Sequence, residues 1–166
     1  PYVMIDKEVV DSNGNTTTLK IGLTGIVPPQ ILKWDKSHLE GKLEVKDSVQ
    51  AVEEIVPMMK KEGADVVIVL SHSGMGDATH EIGEEDVSYL LTKVADVDAV
   101  ITGHAHQVFP GTVDASLTNV DEEKGTMNNV PIVMPGRNGD HLGVIDLELE
   151  KDGDTWDVKQ GTGSVR

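Results

Sequence analysis

Three histidines follow two aliphatic runs that have the length and composition of buried strands. His72 comes after the run at 65–71, and His104 and His106 come after the run at 98–102. In an open α/β sheet the carboxyl ends of parallel strands share one edge, where ligands bind, and neighbouring strands lie roughly 5–10 Å apart. In an extended segment, the spacing of His104 and His106 places both side chains on one face. Because imidazole is the commonest metal ligand near neutral pH, the sequence predicts a metal site formed by these three residues.

Four further residues are predicted to contact the substrate or the metal ligands. Gly103 precedes the histidine pair and, without a Cβ atom, allows a ligand or a backbone segment to approach closely. Ser73 directly follows the first histidine of the predicted site. Asp140 and His141 stand just before a predicted strand, from where they can enter the site. No residue of the sequence is assigned a catalytic role on these grounds.

The acidic residues suggest no metal-bridging carboxylate. Glu84, Glu85 and Asp86 are interpreted as the solvated first turn of a helix, where negative charge is favoured by the helix macrodipole. Asp65 and Asp98 stand at the starts of the aliphatic runs, which is the wrong end of the strands for this site. Three imidazoles can hold one metal ion, but a complete two-metal centre needs further ligands.

The first part of the sequence predicts a hairpin and a helix. Runs rich in β-branched residues at 2–10 and 16–27 flank an Asn-Gly pair at 13–14, which is a strong hairpin signal. A helix is predicted over 47–63, where an N-terminal Asp and a C-terminal Gly enclose apolar residues at helical spacing. Pro57 inside this segment is expected to kink the helix or to remove one of its hydrogen bonds.

Strands and helices then alternate, which predicts an α/β fold (α+β by some schemes). The order strand, helix, strand, helix, strand up to residue 102 is typical of a βαβαβ unit with parallel strands. After Pro110 the helical period disappears, and antiparallel or mixed strands are expected to close one side of the sheet. The runs that carry this prediction are 113–120, 130–134, 142–149 and 156–159.

Composition excludes several classes of function. The chain has 166 residues, which is about one domain, and a formal net charge of −15. This charge argues against binding to a nucleic-acid polymer or to an anionic membrane surface, since both need basic residues. The absence of cysteine excludes a thiolate nucleophile, a disulfide framework and a cysteine-based zinc site. No apolar run approaches the ~18 residues of a membrane-spanning helix.

Two motifs resemble those of a known family. Residues 69–74 (VLSHSG) and 103–106 (GHAH) are similar to the last two metal-binding motifs of the calcineurin-like metallophosphoesterases. Residues 25–31 (GIVPPQI) followed by Trp34-Asp35 resemble more narrowly the 2',3'-cyclic-nucleotide 2'-phosphodiesterase/3'-nucleotidase branch. Residues 130–136 (VPIVMPG) and 139–143 (GDHLG) resemble the same branch.

The resemblance implies a fold, cofactors and a reaction. The family fold is a four-layer αββα sandwich with a two-metal site between its sheets, holding Mn, Zn, Fe or similar divalent ions. By this resemblance His72 and His104 ligate one metal and His106 the other. The implied reaction is metal-assisted hydrolysis of phosphoesters, here of 2',3'-cyclic nucleotides and 3'-nucleotides. The implied location is the periplasm, the cell wall or the exterior, although no signal peptide is recognisable at the start of the sequence.

The sequence also departs from the family pattern. The motifs Asp-x-His, Gly-Asp-x-x-Asp and Gly-Asn-His-Asp/Glu, which carry the other ligands, are not found, and neither is the family's nucleotide-specificity domain. Residues 1–166 are therefore expected to be the C-terminal half of a catalytic domain, with incomplete metal ligation and little activity alone. A companion chain or segment is expected to supply the N-terminal half. The alternatives are a non-catalytic acidic binding module that keeps the fold, or a phosphoesterase of the 5'-nucleotidase type.

Overall fold

A mixed sheet forms the centre of the molecule. The computed structural model describes residues 2–111, 113–153 and 155–166. Within this part of the chain the strands are β1 (Tyr2–Val10), β2 (Thr16–Ile26), β3 (Val66–Ser71), β4 (Ala99–Thr102), β5 (Val108–Phe109), β6 (Val120–Asp121), β7 (Thr126–Met127), β8 (Val130–Pro135), β9 (Gly143–Asp152) and β10 (Thr155–Val165). The helices are α1 (Ile31–Trp34), α2 (Lys36–Leu39), α3 (Ser48–Lys61) and α4 (Ser88–Leu91). The predicted mixed α/β fold is confirmed.

The topology places the ends of the central strands side by side. The main sheet has the strand order β1-β2-β3-β4-β8-β7-β6, and β5 pairs with β8. The pairs β2–β3, β3–β4 and β4–β8 are parallel, which confirms the predicted βαβαβ unit. The predicted hairpin is also confirmed, since β1 and β2 are antiparallel. Ser71 at the end of β3 lies opposite both Ile26 and Thr102, so that three carboxyl ends coincide.

Helix α3 follows the prediction closely. Asp47 is its N-cap, and the Asp47 side chain accepts a hydrogen bond from the backbone amide of Gln50. The helix spans Pro57 and ends at Lys61. The buried apolar face of α3 packs against one face of the sheet and forms a single core with it. This core includes Val49, Val52, Val56 and Met59 of α3, Val67 and Val69 of β3, and Val100 of β4. Burial of this stripe stabilises the helix more than its intrinsic propensity does.

Two predicted elements are wrong. The helix expected to begin at 84–86 is a single turn, α4, that begins at Ser88, because Glu85 and Asp86 belong to the preceding loop and bond to distant residues. The strand expected over 113–120 is reduced to β6 at its end. Residues 113–119 are irregular with one turn at 115–116, and the backbone carbonyl of Thr118 accepts a hydrogen bond from the Tyr89 hydroxyl rather than from a strand.

The second face of the central strands is covered at one end only. The antiparallel hairpin β9–β10 packs there, and Trp156 forms a small second core with Leu19 and Val66. Towards the carboxyl ends the same face is open, so that Leu70 and Ile101 are 46% and 41% exposed. These strands are therefore buried on one face and only partly on the other. Among the described residues, no helix combines the length and the apolar character needed to span a bilayer.

Candidate metal centre

His72 and His104 meet at the carboxyl edge of the sheet, where the strand pattern places them. The backbone amide of His72 donates to the carbonyl of Ile26, and the amide of Gly103 donates to the carbonyl of Ser71. These bonds continue the strand ladder one residue beyond its end and fix where both turns begin. The two imidazole rings lie 5.1 Å apart between centroids, at an interplanar angle of 53°. The predicted approach of these two histidines is therefore present.

The segment that carries His104 and His106 is a turn, not the predicted extended strand end. Both residues have positive φ, 69° for His104 and 59° for His106. The amide of Ala105 donates to the carbonyl of Gly103 at 2.8 Å, which closes the turn. Left-handed backbone is uncommon for residues other than Gly and persists where the surroundings over-determine it. The extended geometry assumed for this segment is thus wrong, and the role of the exposed His106 stays a prediction.

His104 has two side-chain neighbours besides His72. Its Nε2 atom lies 2.7 Å from Oε1 of Glu85, and its side chain is 20% exposed. The Trp34 ring stacks on the imidazole with a centroid distance of 5.3 Å and an interplanar angle of 30°. Neither contact was foreseen from the sequence, since Trp34 lies 70 positions before His104 in the numbering.

Glu85 and Asp86 bring carboxylates to this edge, which corrects their interpretation as a solvated helix start. Donor atoms of Glu85, Asp86 and His104 lie within 4.8 Å of one another. Asp86 Oδ1 accepts from the backbone amide of Gly74 at 2.6 Å. A Cβ atom at Gly74 would lie 2.4 Å from the same oxygen, so this approach requires glycine. The signal available in the sequence was topological, because a loop between β3 and α4 must lie at the carboxyl edge.

The loop that carries Glu85 is tied down by a set of bonds that we call the Gly83 junction, formed by Asp47, His80, Gly83 and Gln30. Asp47 accepts from the Gly83 amide at 2.8 Å and contacts His80 Nε2 at 3.0 Å, while it also caps α3. Gln30 Nε2 donates to the Gly83 carbonyl at 3.0 Å. Burial raises the pKa of Asp47. The hydrogen bonds from Gly83, Gln50 and His80 lower this pKa by more than burial raises it, so the Asp47 pKa lies below its ordinary value.

The remaining predicted contact residues lie in different surroundings. Ser73 is fully buried, and its hydroxyl donates to the Glu85 carbonyl and accepts from the Val87 amide. A Cβ atom at Gly103 would meet nothing within 4 Å, so no neighbouring part of the chain requires glycine there. Asp140 Oδ1 lies 2.9 Å from His141 Nδ1, and this hydrogen bond lowers the pKa of Asp140. The roles of Ser73, Gly103, Asp140 and His141 towards a substrate stay predictions.

His141 lies beside the open part of the sheet face. It lines a cleft of about 430 Å³ together with Ile68, Ile101, Val133 and Leu142, among others. The cleft runs between the central strands and the start of β9. It is mainly apolar, and its lining extends to Ile101, three positions before His104. An apolar cleft beside a cluster of polar groups is typical of a surface that another segment or a ligand covers.

The donor set fits a divalent metal ion. Two imidazoles bound to one ion at ~2.1 Å and at an angle of ~90–110° have centroids roughly 4.5–5.2 Å apart. The 5.1 Å between the His72 and His104 centroids falls in this range, while among the described residues the donor atoms that lie within 4.8 Å of one another belong to Glu85, Asp86 and His104 and not to His72. Carboxylates and imidazoles together suit Zn, Mn and Fe, and two carboxylates lie at the same edge. The residues present therefore fit the metal chemistry that the resemblance implies.

The fold is that of a phosphoesterase domain, since the family profile described as Calcineurin-like phosphoesterase matches residues 5–108. The chain belongs to the calcineurin-like phosphoesterase family. It is 47% identical, over its whole length, to the 2',3'-cyclic-nucleotide 2'-phosphodiesterase/3'-nucleotidase of Salmonella typhimurium, of which it covers 26%. It is 45% identical to the trifunctional nucleotide phosphoesterase protein YfkN of Bacillus subtilis, with 99% of this chain and 11% of YfkN aligned.

A solved structure of YfkN confirms the fold. The crystal structure of the calcineurin-like phosphoesterase YfkN from Bacillus subtilis superposes with a TM-score of 0.94 at 44% identity, over 99% of this chain and 50% of that chain. A 5'-nucleotidase precursor from Thermus thermophilus shares the fold at 18% identity, with a TM-score of 0.61, over 96% of this chain and 29% of that chain. The chain thus spans about a quarter of the Salmonella relative and half of the YfkN chain that was crystallised.

Proposed function

We propose that this chain is part of an enzyme that hydrolyses nucleotide phosphoesters with divalent metal ions, and that its substrates are 2',3'-cyclic nucleotides and 3'-nucleotides. The observation that carries the proposal is the meeting of His72 and His104, 5.1 Å apart, at the carboxyl ends of two adjacent parallel strands. The activity for which the Salmonella relative is named supports the substrate class. In this proposal His72 and His104 hold one metal ion and His106 contacts a second.

The chemistry of the bound metals is general to such sites: they supply Lewis acidity to the phosphoester oxygens and lower the pKa of bound water. The residues of this chain would hold the metal ions and orient the side chains that bind them. The strand-ladder bonds at His72 and Gly103 fix the backbone positions of the two ligands. Glu85 and Asp86 place negative charge beside them, which favours cations at this edge. The aliphatic strands behind the site keep this base rigid.

We further propose that the chain forms the second half of a catalytic domain. The motifs that carry the other ligands of the family are not in the sequence, and the sheet face next to the site is open at Leu70 and Ile101. A preceding segment or a companion chain would then supply the missing ligands and cover this face. The half-domain alone should bind metal weakly and turn over little substrate. Export from the cytoplasm remains part of this proposal on the basis of the family resemblance alone.

The test measures the activity of the full polypeptide that contains this chain, and the chain alone, which should turn over little substrate, is the comparison. Phosphate release from 2',3'-cyclic AMP and 3'-AMP is measured with added Mn²⁺, for the native sequence and for His72→Ala and His104→Ala. Each substitution should lower kcat/KM by at least about a hundredfold, because it removes a proposed metal ligand. His38→Ala is the matched control, since His38 is exposed on α2, and it should retain activity. Full activity of His104→Ala in the full polypeptide would refute the proposal.

A 5'-nucleotidase activity is the second candidate, and the shared fold with the Thermus 5'-nucleotidase precursor favours testing it. The same assay with 5'-AMP separates the two substrate classes, because they differ in the position of the scissile phosphoester. A full polypeptide that binds no metal and hydrolyses none of these nucleotides would instead support a non-catalytic binding module.

A further inference from the structure

We propose that Glu85 and Trp34 are positioning residues that hold the His104 ring so that Nδ1, not Nε2, is the metal-binding nitrogen. This inference rests on the proposed function, because it concerns how one of its metal ligands is presented. Glu85 and Trp34 are called the holding pair below. Neither residue is one of the predicted ligands, and both lie against the ring in the structure.

The hydrogen bond of Glu85 determines the tautomer. A carboxylate can only accept, so the His104 Nε2 atom, 2.7 Å from Oε1 of Glu85, must carry the proton. In a neutral imidazole the other nitrogen then has the free lone pair. Metal-binding histidines commonly donate their second ring nitrogen to a carboxylate, which fixes both the tautomer and the ring orientation. The geometry therefore assigns Nδ1 to the metal and Nε2 to Glu85.

Trp34 restricts the ring in a second direction. The hydrogen bond limits rotation at one ring edge, and the indole stacks on one face at 5.3 Å and 30°. His72 lies against the ring as a third neighbour, at 5.1 Å and 53°. The His104 backbone is left-handed, with φ of 69°, so the backbone conformation is not the one that histidine prefers. Contacts on the side chain are what such a residue needs to keep one orientation.

The holding pair is itself fixed by the Gly83 junction. Gln30 precedes α1, the helix turn that carries Trp34, and it donates to the carbonyl of Gly83. Gly83 lies two residues before Glu85, and its amide donates to Asp47 at the start of α3. The backbone of Gly83 therefore links the segments that carry Trp34 and Glu85 to α3, the longest helix among the described residues. This arrangement makes the two contacts on His104 depend on a common support.

A second interpretation of the same atoms is that Glu85 is a metal ligand alongside His104. The two interpretations predict different results for Glu85→Gln. If Glu85 is a positioning residue, the substituted amide keeps a hydrogen-bonding group at Nε2, and metal affinity should fall about 10–100-fold, the range known for partners of metal ligands. If Glu85 is a ligand, loss of the carboxylate should abolish binding as completely as His104→Ala does. Glu84→Gln is the matched control, with the same charge change on the adjacent residue.

The test measures the tautomer and the metal affinity separately. The tautomer of His104 is read from ¹⁵N NMR of the metal-free, ¹⁵N-histidine-labelled full polypeptide above the imidazole titration range, with His104→Gln to identify the signal. We expect a protonated Nε2 in the native protein and in Glu84→Gln, and a mixture of tautomers in Glu85→Ala and Glu85→Gln. Mn²⁺ and Zn²⁺ affinity, from competition with a chelating dye, should fall in Trp34→Ala and return towards the native value in Trp34→Phe.

Three results would overturn the inference: a protonated Nδ1 in the native protein, complete loss of metal binding in Glu85→Gln, or an affinity of Glu85→Gln equal to that of Glu84→Gln. A Trp34→Ala affinity within about twofold of native would remove Trp34 from the pair. Because the tautomer is observed without metal and without turnover, it is independent of the proposed activity. An inactive protein with a protonated Nε2 would contradict the proposed function and leave the tautomer assignment standing.

Discussion

Replacing Asp47 by alanine should destabilise the fold far more than replacing any exposed acid of the loop between β3 and α4, which Asp47 holds at Gly83. The Asp47 side chain is 3% exposed and accepts three hydrogen bonds, from Gln50, Gly83 and His80. Loss of a helix N-cap typically costs about 1 kcal/mol. Loss of each hydrogen bond to a charged group costs about 1.5–3 kcal/mol, and the lower value applies to the partly exposed His80. We expect a loss of about 4–5.5 kcal/mol in the free energy of unfolding.

Urea denaturation followed by circular dichroism measures this change. For a chain of this size, the midpoint of thermal unfolding should fall by about 8–22 °C. Asp77→Ala is the control, because Asp77 lies in the β3–α4 loop that Asp47 holds, is exposed, and accepts one local bond from the Thr79 amide. Asp47→Asn should fall between the two, since one oxygen can still cap α3 while the amide group cannot accept from Gly83.

The difference between native and Asp47→Ala should depend on pH. The pKa of Asp47 is lowered in the folded state, so its stabilisation is complete above its unfolded value of about 3.9. It is lost as the pH falls through the lower folded value. An Asp47→Ala protein that loses no more stability than Asp77→Ala at neutral pH would show that the Gly83 junction does not support the loop.

Three other outcomes are expected. Gly22→Ala should destabilise by about 1–3 kcal/mol in urea denaturation, because the added Cβ would lie 2.8 Å from the Met59 sulfur, and an unchanged midpoint would contradict this packing. Burial raises the pKa of Asp98 in the folded state, so the native protein should lose stability as the pH rises through that folded pKa. Asp98→Asn cannot ionise and should not show this loss, and thermal midpoints of the variant that keep the native pH dependence would argue against it. Leu70→Lys with Ile101→Lys should reduce self-association of the chain in light scattering while changing its stability little, because both side chains are partly exposed; a native chain that is already monomeric would contradict the open-face argument.

The sequence was sufficient for the parts of the site that depend on local periodicity. His72 and His104 could be placed because aliphatic runs of strand length precede them, and parallel strands end at one edge. Helix α3 could be placed because Asp47 and the apolar period agree. These features depend on residues within one element or in neighbouring elements, and such signals are readable without coordinates.

The missed features depend on contacts between distant residues. Glu85 reaches His104 because the loop is held at Gly83 by Asp47, 36 positions earlier. Nothing in the acidic run itself distinguishes this role from a solvated helix start. The backbone at His104 was also unpredictable, since histidine is only moderately enriched in the left-handed region and its surroundings decide whether it adopts that conformation. Trp34 belongs to a motif that carries the family resemblance, but its stacking partner follows only from the fold.

The Gly83 junction should tolerate amino-acid substitutions better than insertions or deletions. Its bonds on both sides of residue 83 use the backbone amide and carbonyl, and a Cβ atom there would meet nothing within 4 Å. Side-chain identity at this position is therefore limited only by the positive φ of 79°. The number of residues between positions 83 and 85 is limited much more strictly, because one insertion or deletion would move Glu85 away from the His104 ring. Variation in such a loop should appear as substitution at constant length, and a single-codon insertion should be more harmful there than most point mutations.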